Sequence, residues 1–394
     1  MPLPSPPEGR SAYFPALTGI RALAAYGVFL YHSNPFTAGT LPHWLANRGS
    51  SGVSVFFVLS GFLICFRYLD RLEVSAQWFK SYFRNRVARI YPLYLLVTVL
   101  TFCLIAVDPS LDLTAQWPSY VTTDKLLVIG LNLTFLRGFF QTFLFTGIAQ
   151  GWTLTVEECF YFLAPLLLLG LRYFKKPYLA LSAYAVGLLL LGAALVAVLP
   201  HRFGLFASLR FLASFTIFGQ CVYFLVGIGL ALMVRRRAEP SGSPLPLWTY
   251  GSIASIGLIL AVYSLVEQPG DYVLDGALNV PGLILGYLLA FAVAGLLWGL
   301  IDEESKLRGL LETTLFDKLG KSSYAFYLIH MGVFNQLMKR HITDSVPLLF
   351  IAMVVLAYWL YRFVEEPANR WIRTSQPKAP LKMQTPLAIK PEVS

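Results

Sequence analysis

The stretch RALAAYGVFLYH, residues Arg21 to His32, has a full positive charge at one end and an imidazole at the other. The ten residues between them carry no charge, and most of them are apolar. This pattern predicts an α-helix within a membrane. In such a helix the two ionisable side chains, eleven positions apart, lie within about 20° of each other around the axis and about 16 Å apart along it. They therefore share one helical face at two different depths.

The composition extends this prediction to the whole chain. Of 394 residues, 56% are hydrophobic and 13% are charged, whereas a soluble domain carries about 25% charged residues. Apolar segments long enough to cross a hydrocarbon core of about 30 Å recur along the sequence. We count ten, at residues 17–33, 52–69, 91–107, 152–171, 178–199, 217–234, 247–266, 280–301, 322–337 and 347–363. The predicted fold class is an all-α integral membrane protein, a polytopic bundle of about ten transmembrane helices, or eleven if Leu126–Phe140 also spans.

Leu126–Phe140 is the ambiguous segment. It is short and is interrupted by Asn132 and Arg137, so we expect it to be re-entrant or interfacial. With this segment excluded, all five basic clusters fall on one side of the membrane, as the positive-inside rule requires. These clusters are residues 67–89, 172–176, 235–237, 306–321 and 362–373. Both termini are then predicted to be cytoplasmic, and the acidic loop Glu267–Asp275 to face outward.

The remaining features set the domain limits and exclude several classes of protein. We predict a polar segment at 1–14, one transmembrane domain at 15–373 and a disordered cytoplasmic tail at 374–394. The proline-rich start lacks the pattern of a cleaved signal peptide, so we expect the first span to be retained. The net charge is +10, but the basic residues flank apolar runs, which indicates a lipid bilayer as partner and not nucleic acid. Four dispersed cysteines predict neither disulfides nor a metal site.

Two interpretations of Arg21 and His32 are open from these residues alone. Arg21 can extend to the inner headgroups while His32 is an interfacial histidine with one satisfied hydrogen bond. Alternatively both face a cavity, as intramembrane ionisable residues usually do. Histidine is the side chain best suited to gain and lose a proton near neutral pH.

Two adjacent carboxylates, Glu157 and Glu158, begin the fourth predicted span. They are about 100° apart on a helix, so at most one of them points at a given partner. Stabilisation by the helix N-terminus is one explanation of their position. The other is that a carboxylate near His32 fixes the tautomer of the imidazole and raises its basicity.

Arg86 and Arg89 stand at the start of the third predicted span, three positions apart and thus on one face of a helix. Basic residues there are typical of topology and of contact with anionic headgroups. They are also suited to hold the phosphates of a soluble cofactor.

Three further segments contain polar residues inside apolar runs. Ser54 and the Ser60-Gly61 pair favour close packing of small residues between helices. In LGKSSYAFYLIH, Tyr327 and His330 share one helical face. The sequence RFVEEP, which includes Glu365, ends the last span and fits an ionic helix terminus as well as a functional role.

Taken together, these segments resemble the acyltransferase 3 family of integral membrane O-acyltransferases. The similarity runs from LTGIRALAAYGVFLYHS through GVSVFFVLSGFLI, RNRVARIYPLY, GWTLTVEECFYFLAP and LGKSSYAFYLIH to RFVEEP, in that order. The family is known for an arginine and a histidine in its first helix, and members use acyl-CoA to modify sugars of envelope polysaccharides or small glycosides. Some members carry a soluble esterase-like domain after the membrane part, and we expect none here.

The resemblance implies roles for individual residues. It implies that His32 is the catalytic histidine, that Glu157 is an active-site carboxylate, and that Arg21 serves the donor or its channel. Arg86 and Arg89 match an arginine-rich segment taken to contact the donor. Motif positions of less defined role are Glu158, Tyr327, His330 and Glu365. Ser54 departs from the family, because many members carry an aspartate there.

The predicted function is transfer of an acyl group, most simply acetyl, from cytoplasmic acetyl-CoA to a sugar hydroxyl of a cell-surface or exported glycan. Acetyl-CoA is then a substrate, and no metal is expected. Two rivals are a transporter or flippase of a glycan or lipid, and the same chemistry on a small glycoside. The predicted location is the cell (inner or plasma) membrane, as a multi-pass protein, and the sequence does not indicate an oligomeric state.

Overall fold

The computed structural model describes residues 13–237, 245–266 and 277–374, and within these ranges the chain is helical without a strand. Short 3-10 turns and one π-helical turn, Tyr361–Glu365, join the α-helices. The α-helices of the described residues are α1 Pro15–His32, α2 Leu41–Asn47, α3 Gly52–Tyr68, α4 Ala76–Val107, α5 Thr122–Leu133, α6 Trp152–Tyr173, α7 Pro177–Val198, α8 Leu209–Phe215, α9 Ile217–Arg236, α10 Leu247–Val266, α11 Val280–Asp302, α12 Lys306–Leu311, α13 Thr314–Ile329, α14 Val333–His341, α15 Val346–Leu360 and α16 Glu366–Thr374. Most of the predicted segment 1–14, the loop Glu267–Asp275 and the tail beyond residue 374 lie outside the described residues.

The predicted fold class, an all-α polytopic membrane protein, is confirmed. In the described ranges, eight helical stretches are long and apolar enough to cross a membrane. They are Leu41–Tyr68, Ala76–Val107, Ala149–Tyr173, Pro177–Val198, Leu209–Arg236, Leu247–Val266, Val280–Asp302 and Val346–Thr374. Each contains one of the ten predicted spans in full or to within one residue. The other two predicted spans, 17–33 and 322–337, contribute shorter or more polar helices to the same bundle.

Two segments differ from a simple span. In the predicted span 322–337, α13 ends at Ile329 and α14 begins at Val333, because Gly332 between them has a φ of +82°. In the ambiguous segment, α5 has only 12 residues, a rise of about 18 Å that is too short to cross a bilayer. The backbone then turns at Phe135, whose φ is +60°. The ambiguous segment is therefore not an eleventh crossing.

Helices α3 and α9 form the centre of the bundle and pack backbone to backbone. A Cβ atom on Gly61 would lie 2.1 Å from the carbonyl oxygen of Phe224, and one on Gly227 would lie 2.1 Å from that of Val58. Only glycine permits this approach from both sides. Helices α1, α6, α7 and α11 surround the pair.

Contacts among the five basic clusters bring all of them to one end of the bundle. The guanidinium of Arg172 donates to the carbonyl oxygen of Leu69, and Arg235 pairs with Asp70. Arg237 pairs with Asp302 just before the fourth cluster, with 2.9 Å between charged atoms. Asn369 of the fifth cluster donates a hydrogen bond to the carbonyl oxygen of Ala88 on α4, which belongs to the first cluster. The structure thus places the clusters on a common side.

Two prolines inside helices shape the region between α4, α6 and α16. Proline cannot donate to the carbonyl four residues earlier, so Pro92 frees the carbonyl of Ala88 and Pro165 frees that of Tyr161. Asn369 Nδ2 donates to the first carbonyl at 3.0 Å. The hydroxyl of Tyr82 donates to the second, also at 3.0 Å. Each broken helical bond is therefore replaced by a bond to another element.

Helices α10 and α11 form a hairpin that is fastened at the same end as the basic clusters. Glu303, 2% exposed, accepts bonds of 2.7 Å and 2.8 Å from the backbone N–H groups of Trp248 and Thr249. The carboxylate thereby caps the first turn of α10. The far half of the hairpin supplies one wall of the larger cavity.

Candidate active site

Two cavities lie one above the other inside the bundle. The inner cavity, about 70 Å³, is bounded by α1, α3, α4, α6 and α13. The outer cavity, about 600 Å³, is bounded by α1, α3, α6, α9, α10 and α11. Val53 and Tyr327 line both of them. The cavities therefore adjoin at these two side chains.

Helix α1 connects the two cavities. Arg21 lines the inner one, and His32, at the end of the helix, lines the outer one, to which its ring is exposed. The helix is continuous over all 18 residues, so the predicted shared face and axial separation follow from its geometry. The opening sequence stretch is thus one wall running past both cavities.

A cluster of two arginines and two glutamates lies at the inner cavity, and all of its members except Glu365 line that cavity. Electrostatic interactions link Arg21 with Arg89, Glu365 and Glu157. Glu157 accepts a 2.8 Å bond from the hydroxyl of Ser60 and a short one from the hydroxyl of Tyr161 on its own helix. Burial of opposite charges together lowers the desolvation penalty that each would pay alone. The cluster brings side chains of opposite charge together at a depth where isolated charges are unstable.

Arg86 is placed differently from Arg89. It is 6% exposed, and its guanidinium carbon lies 5.4 Å from the ring centroids of Tyr68 and Tyr161 and 5.8 Å from that of Tyr82. These are cation–π distances. Arg86 is therefore held largely by aromatic rings, while the half-buried Arg89 retains a freer guanidinium at the inner cavity.

Glu158 and Glu365 take separate positions around these arginines. Glu158 lies on the side of α6 near Arg86, with which it interacts electrostatically. Glu365 ends the π-helical turn Tyr361–Glu365, and the wider turn separates it from Glu366, which pairs instead with Arg362 and Arg370. One oxygen of Glu365 is buried without a hydrogen-bond partner among the described residues. Such π-helical turns occur often at functional sites.

His32 lies beside the second intramembrane histidine. The ring centroids of His32 and His330 are 5.5 Å apart. His330 is fully buried and its Nδ1 lies 2.8 Å from the carbonyl oxygen of Tyr327. A carbonyl only accepts, so Nδ1 carries the proton and Nε2 is the acceptor. That Nε2 has no partner among the described residues.

The structure brings His32 together with His330 and does not bring it to Glu157. Glu157 lines the inner cavity, and its hydrogen bonds go to Ser60 and Tyr161. The expectation that Glu157 orients the imidazole of His32 is therefore replaced by a histidine pair. The reason is that Glu157 lies beyond the first turn of α6, at the same depth in the bundle as Arg21.

Two polar residues near the cavities were not identified as site residues from the sequence. Arg137 is fully buried and donates to the backbone carbonyls of Thr146 and Ile148, which fixes the irregular segment before α6. Gln150, 4% exposed, lines the outer cavity and donates to the carbonyls of Tyr327 and Leu328. The only sequence signal was an arginine and a glutamine within a largely apolar segment.

Other predicted positions are also located. Ser54, where many family members have aspartate, is buried at the outer cavity and bonds to the hydroxyl of Tyr223. Tyr327 contacts Thr153 through its hydroxyl at 3.0 Å. The four cysteines are free. Among the residues that the structure describes, no group of three or more His, Cys, Asp and Glu side chains could hold a metal ion.

Similarities to known proteins agree with this architecture. The acyltransferase MdmB of Streptomyces mycarofaciens is 29% identical over 412 residues, covering 94% of this chain and 95% of its own. The O-acetyltransferase OatA of Staphylococcus aureus (strain NCTC 8325 / PS 47) is 24% identical over 381 residues, covering 91% of this chain and 57% of its own. Other Staphylococcus aureus relatives are 25% identical, and the chain spans 58% of their length. No solved structure shows significant similarity. The family profile of acyltransferase 3, described as an acyltransferase domain, matches residues 14–362, and the chain therefore belongs to the acyltransferase 3 family.

Proposed function

We propose that this protein transfers an acyl group, most simply acetyl, from cytoplasmic acyl-CoA to a sugar hydroxyl of a cell-surface or exported glycan. The observation that carries the proposal is the pair of adjoining cavities, one lined by arginines and one exposing His32, joined along α1. A thioester made on one side of a membrane can thus meet an acceptor that enters from the other. The five basic clusters at one end of the bundle support a cytoplasmic donor side.

The inner cavity is the proposed site of the thioester end of the donor. Its volume, about 70 Å³, suits an acyl group and the first atoms of the pantetheine arm, and not a nucleotide. The nucleotide phosphates would lie outside, near the exposed Arg67 at the rim of the same cavity. Arg89 and Arg21 would then lie along the arm of the donor, and the thioester would reach the junction at Val53 and Tyr327, next to the acceptor in the outer cavity.

The outer cavity is the proposed acceptor site. It combines hydrogen-bonding side chains with the aromatic rings of Trp152, Tyr223 and Phe215. Cavities of a few hundred cubic ångströms with aromatic walls and a few polar groups are typical of sites for small organic ligands. A sugar, which has apolar faces and polar edges, fits such a lining.

The chemical step follows from this placement. His32 would take the proton of the acceptor hydroxyl as its oxygen attacks the thioester carbonyl. A carbon–oxygen bond forms, the carbon–sulfur bond breaks, and the thiolate of CoA leaves and is protonated. His330, with Nε2 free to accept, would hold the N–H of His32 so that the other ring nitrogen serves as the base.

The test uses purified protein in lipid nanodiscs with radiolabelled acetyl-CoA and a panel of p-nitrophenyl glycosides. We expect acetyl-CoA to be consumed and labelled ester to form, and His32→Gln to lower the rate by about 10²–10⁴-fold. Size-exclusion profiles of both proteins control for folding. Full activity of His32→Gln would remove the proposed base. Translocation of a fluorescent glycolipid by the protein in sealed proteoliposomes, without consumption of acetyl-CoA, would favour a transporter instead.

A further inference from the structure

Gln150 is a buried polar side chain in the wall of the outer cavity. It lies in the 3-10 turn Ala149–Gly151 that precedes α6, and only 4% of it is exposed. Its amide nitrogen donates to the carbonyl oxygens of Tyr327 and Leu328, both at 2.8 Å. Because carbonyl oxygens only accept, this end of the amide must be the NH₂ group. The orientation of Gln150 is therefore fixed by its neighbours.

The opposite end of the same amide lacks a partner. Oε1 of Gln150 is buried and accepts no hydrogen bond from any described residue. Buried acceptors in folded proteins are nearly always paired, so one left open at a cavity wall calls for a donor from outside the chain. Gln220 lines the same cavity, and its amide nitrogen also donates to two carbonyls, at 3.0 Å and 2.9 Å. Its side chain is only half-buried, however, and its oxygen is not one of the buried atoms that lack a hydrogen-bond partner.

The open acceptor stands next to the histidine pair. The carbonyl oxygen of Tyr327 binds both the amide of Gln150 and Nδ1 of His330, each at 2.8 Å. His330 in turn lies 5.5 Å from His32, measured between ring centroids. Gln150 and His330, the neighbour of the proposed base His32, are therefore held to one another through a single backbone carbonyl. Gln150 and His32 both line the outer cavity, so a sugar whose hydroxyl reaches His32 can place a neighbouring hydroxyl at Gln150.

The charge around the cavity limits the kind of donor. Among the described residues, those that line the cavity include no carboxylate that would attract an ammonium group. A neutral hydroxyl is the remaining strong donor on a sugar. Resting on the proposed acyl transfer, we propose that Oε1 of Gln150 accepts a hydrogen bond from a second hydroxyl of the acceptor, adjacent to the one that is acylated. The preferred acceptors are accordingly sugars with neighbouring free hydroxyls.

The experiment compares acceptors that differ by one hydroxyl. The p-nitrophenyl glycoside that wild-type protein acylates fastest is measured against its monodeoxy analogues, each lacking one hydroxyl beside the acylated position. We expect one analogue to lower kcat/KM by about 10- to 100-fold with wild type. In Gln150→Met the ratio between parent and analogue should fall to within about threefold, because the acceptor atom is gone.

The ratio is measured within one protein preparation, so a loss of folded Gln150→Met lowers both rates and leaves the ratio unaffected. The matched control, Gln220→Met, should keep the wild-type ratio. Equal rates for the parent and every analogue in wild type would overturn the inference, and so would an undiminished ratio in Gln150→Met. If wild type consumes no acetyl-CoA with any glycoside, the proposed function itself fails, and this outcome is distinct from the other two.

Discussion

At the scale of single residues, His330 is the clearest case in which position defines a role. It lines neither cavity and is fully buried, so it does not contact a substrate. Its ring packs parallel to Phe326, with an interplanar angle of 7°, and faces His32 on another side. Among the ionisable groups of the described residues, His32 is the one that interacts with His330. The open Nε2 acceptor of His330 is therefore available to His32. We infer a positioning role for His330.

Two substitutions of His330 separate positioning from packing. His330→Gln keeps a donor for the carbonyl of Tyr327 and an acceptor for His32, whereas His330→Phe keeps only the aromatic volume. We expect His330→Phe to lower kcat by about 10- to 100-fold with KM for both substrates within about threefold, and His330→Gln to recover part of kcat. If Phe supports a higher kcat than Gln, packing explains the residue and the positioning role is wrong.

The arginines show how one residue type divides between structure and site. Arg86 and Arg89 share a helical face, as predicted, yet three tyrosine rings surround Arg86 while Arg89 joins the charge cluster of the inner cavity. Their positions along α4 do not by themselves distinguish the two arginines. The difference arises because the guanidinium of Arg86 lies over the rings of Tyr161 on α6 and Tyr68 on α3.

Arg21→Lys tests whether the inner cavity needs a guanidinium or only a charge. Lysine keeps the positive charge but loses the planar set of five donors. With Arg21 among the carboxylates of Glu157 and Glu365, we expect KM for acetyl-CoA to rise about tenfold while the protein stays folded. An unchanged KM and kcat would show that charge alone is sufficient there.

At the scale of elements, the two helix-internal prolines link the geometry of the site to the packing of the bundle. Pro92 lies in the middle of α4 just after Arg89, and the carbonyl that it frees is satisfied from α16. That bond fixes α16 and, through the preceding π-helical turn, the position of Glu365 beside Arg89 and Arg21. Proline and asparagine therefore act as a pair, although they stand on separate helices.

A double-mutant cycle measures this pair. Asn369→Ala leaves the buried carbonyl of Ala88 without a partner, and we expect a loss of about 1–3 kcal/mol in unfolding free energy. Adding Pro92→Ala restores an N–H at residue 92 for the same carbonyl, so the double variant should be more stable than the sum of the two single changes predicts. Reversible unfolding in mixed detergent and denaturant gives the values. Strict additivity would contradict the pairing.

At the scale of the whole molecule, the proposed function requires that the two cavities communicate. Tyr327 at their junction is held by its hydroxyl contact to Thr153 and by its carbonyl bonds to His330 and Gln150. Val53, on the other side, has no such bonds and is half-buried. The passage between the two cavities can therefore be narrowed at Val53 without disturbing a polar network.

Val53→Trp should close the junction. We expect transfer to glycosides to fall by at least about 100-fold, because the acyl group must lie within about 3–3.5 Å of the hydroxyl to react. CoA binding, measured by isothermal titration calorimetry, should stay within about threefold of wild type, since the arginines are untouched. Val53→Ala, which widens the junction, is the control. Normal transfer by Val53→Trp would mean that donor and acceptor meet elsewhere.

The sequence by itself determined the class of protein, most of its helices and the shared face of Arg21 and His32. These properties follow from local periodicity and from the need to satisfy backbone groups in lipid. It also pointed to the residues around both cavities, through their polar character within apolar helices. The break at Gly332 was missed because the apolar pattern continues through it.

Only the tertiary structure decided which of these residues meet. Glu157 lies with Arg21 and Ser60, not with His32, because its helix enters the bundle at the depth of the inner cavity. His32 meets His330, and Gln150 binds a carbonyl 177 positions away. The periodicity of a sequence shows which side chains share a face of one helix, and it says nothing about how that helix is placed against the others. The depth and rotation of each helix relative to the others come from packing, such as the close approach of Gly61 on α3 to helix α9. That packing places the residues of the site next to one another.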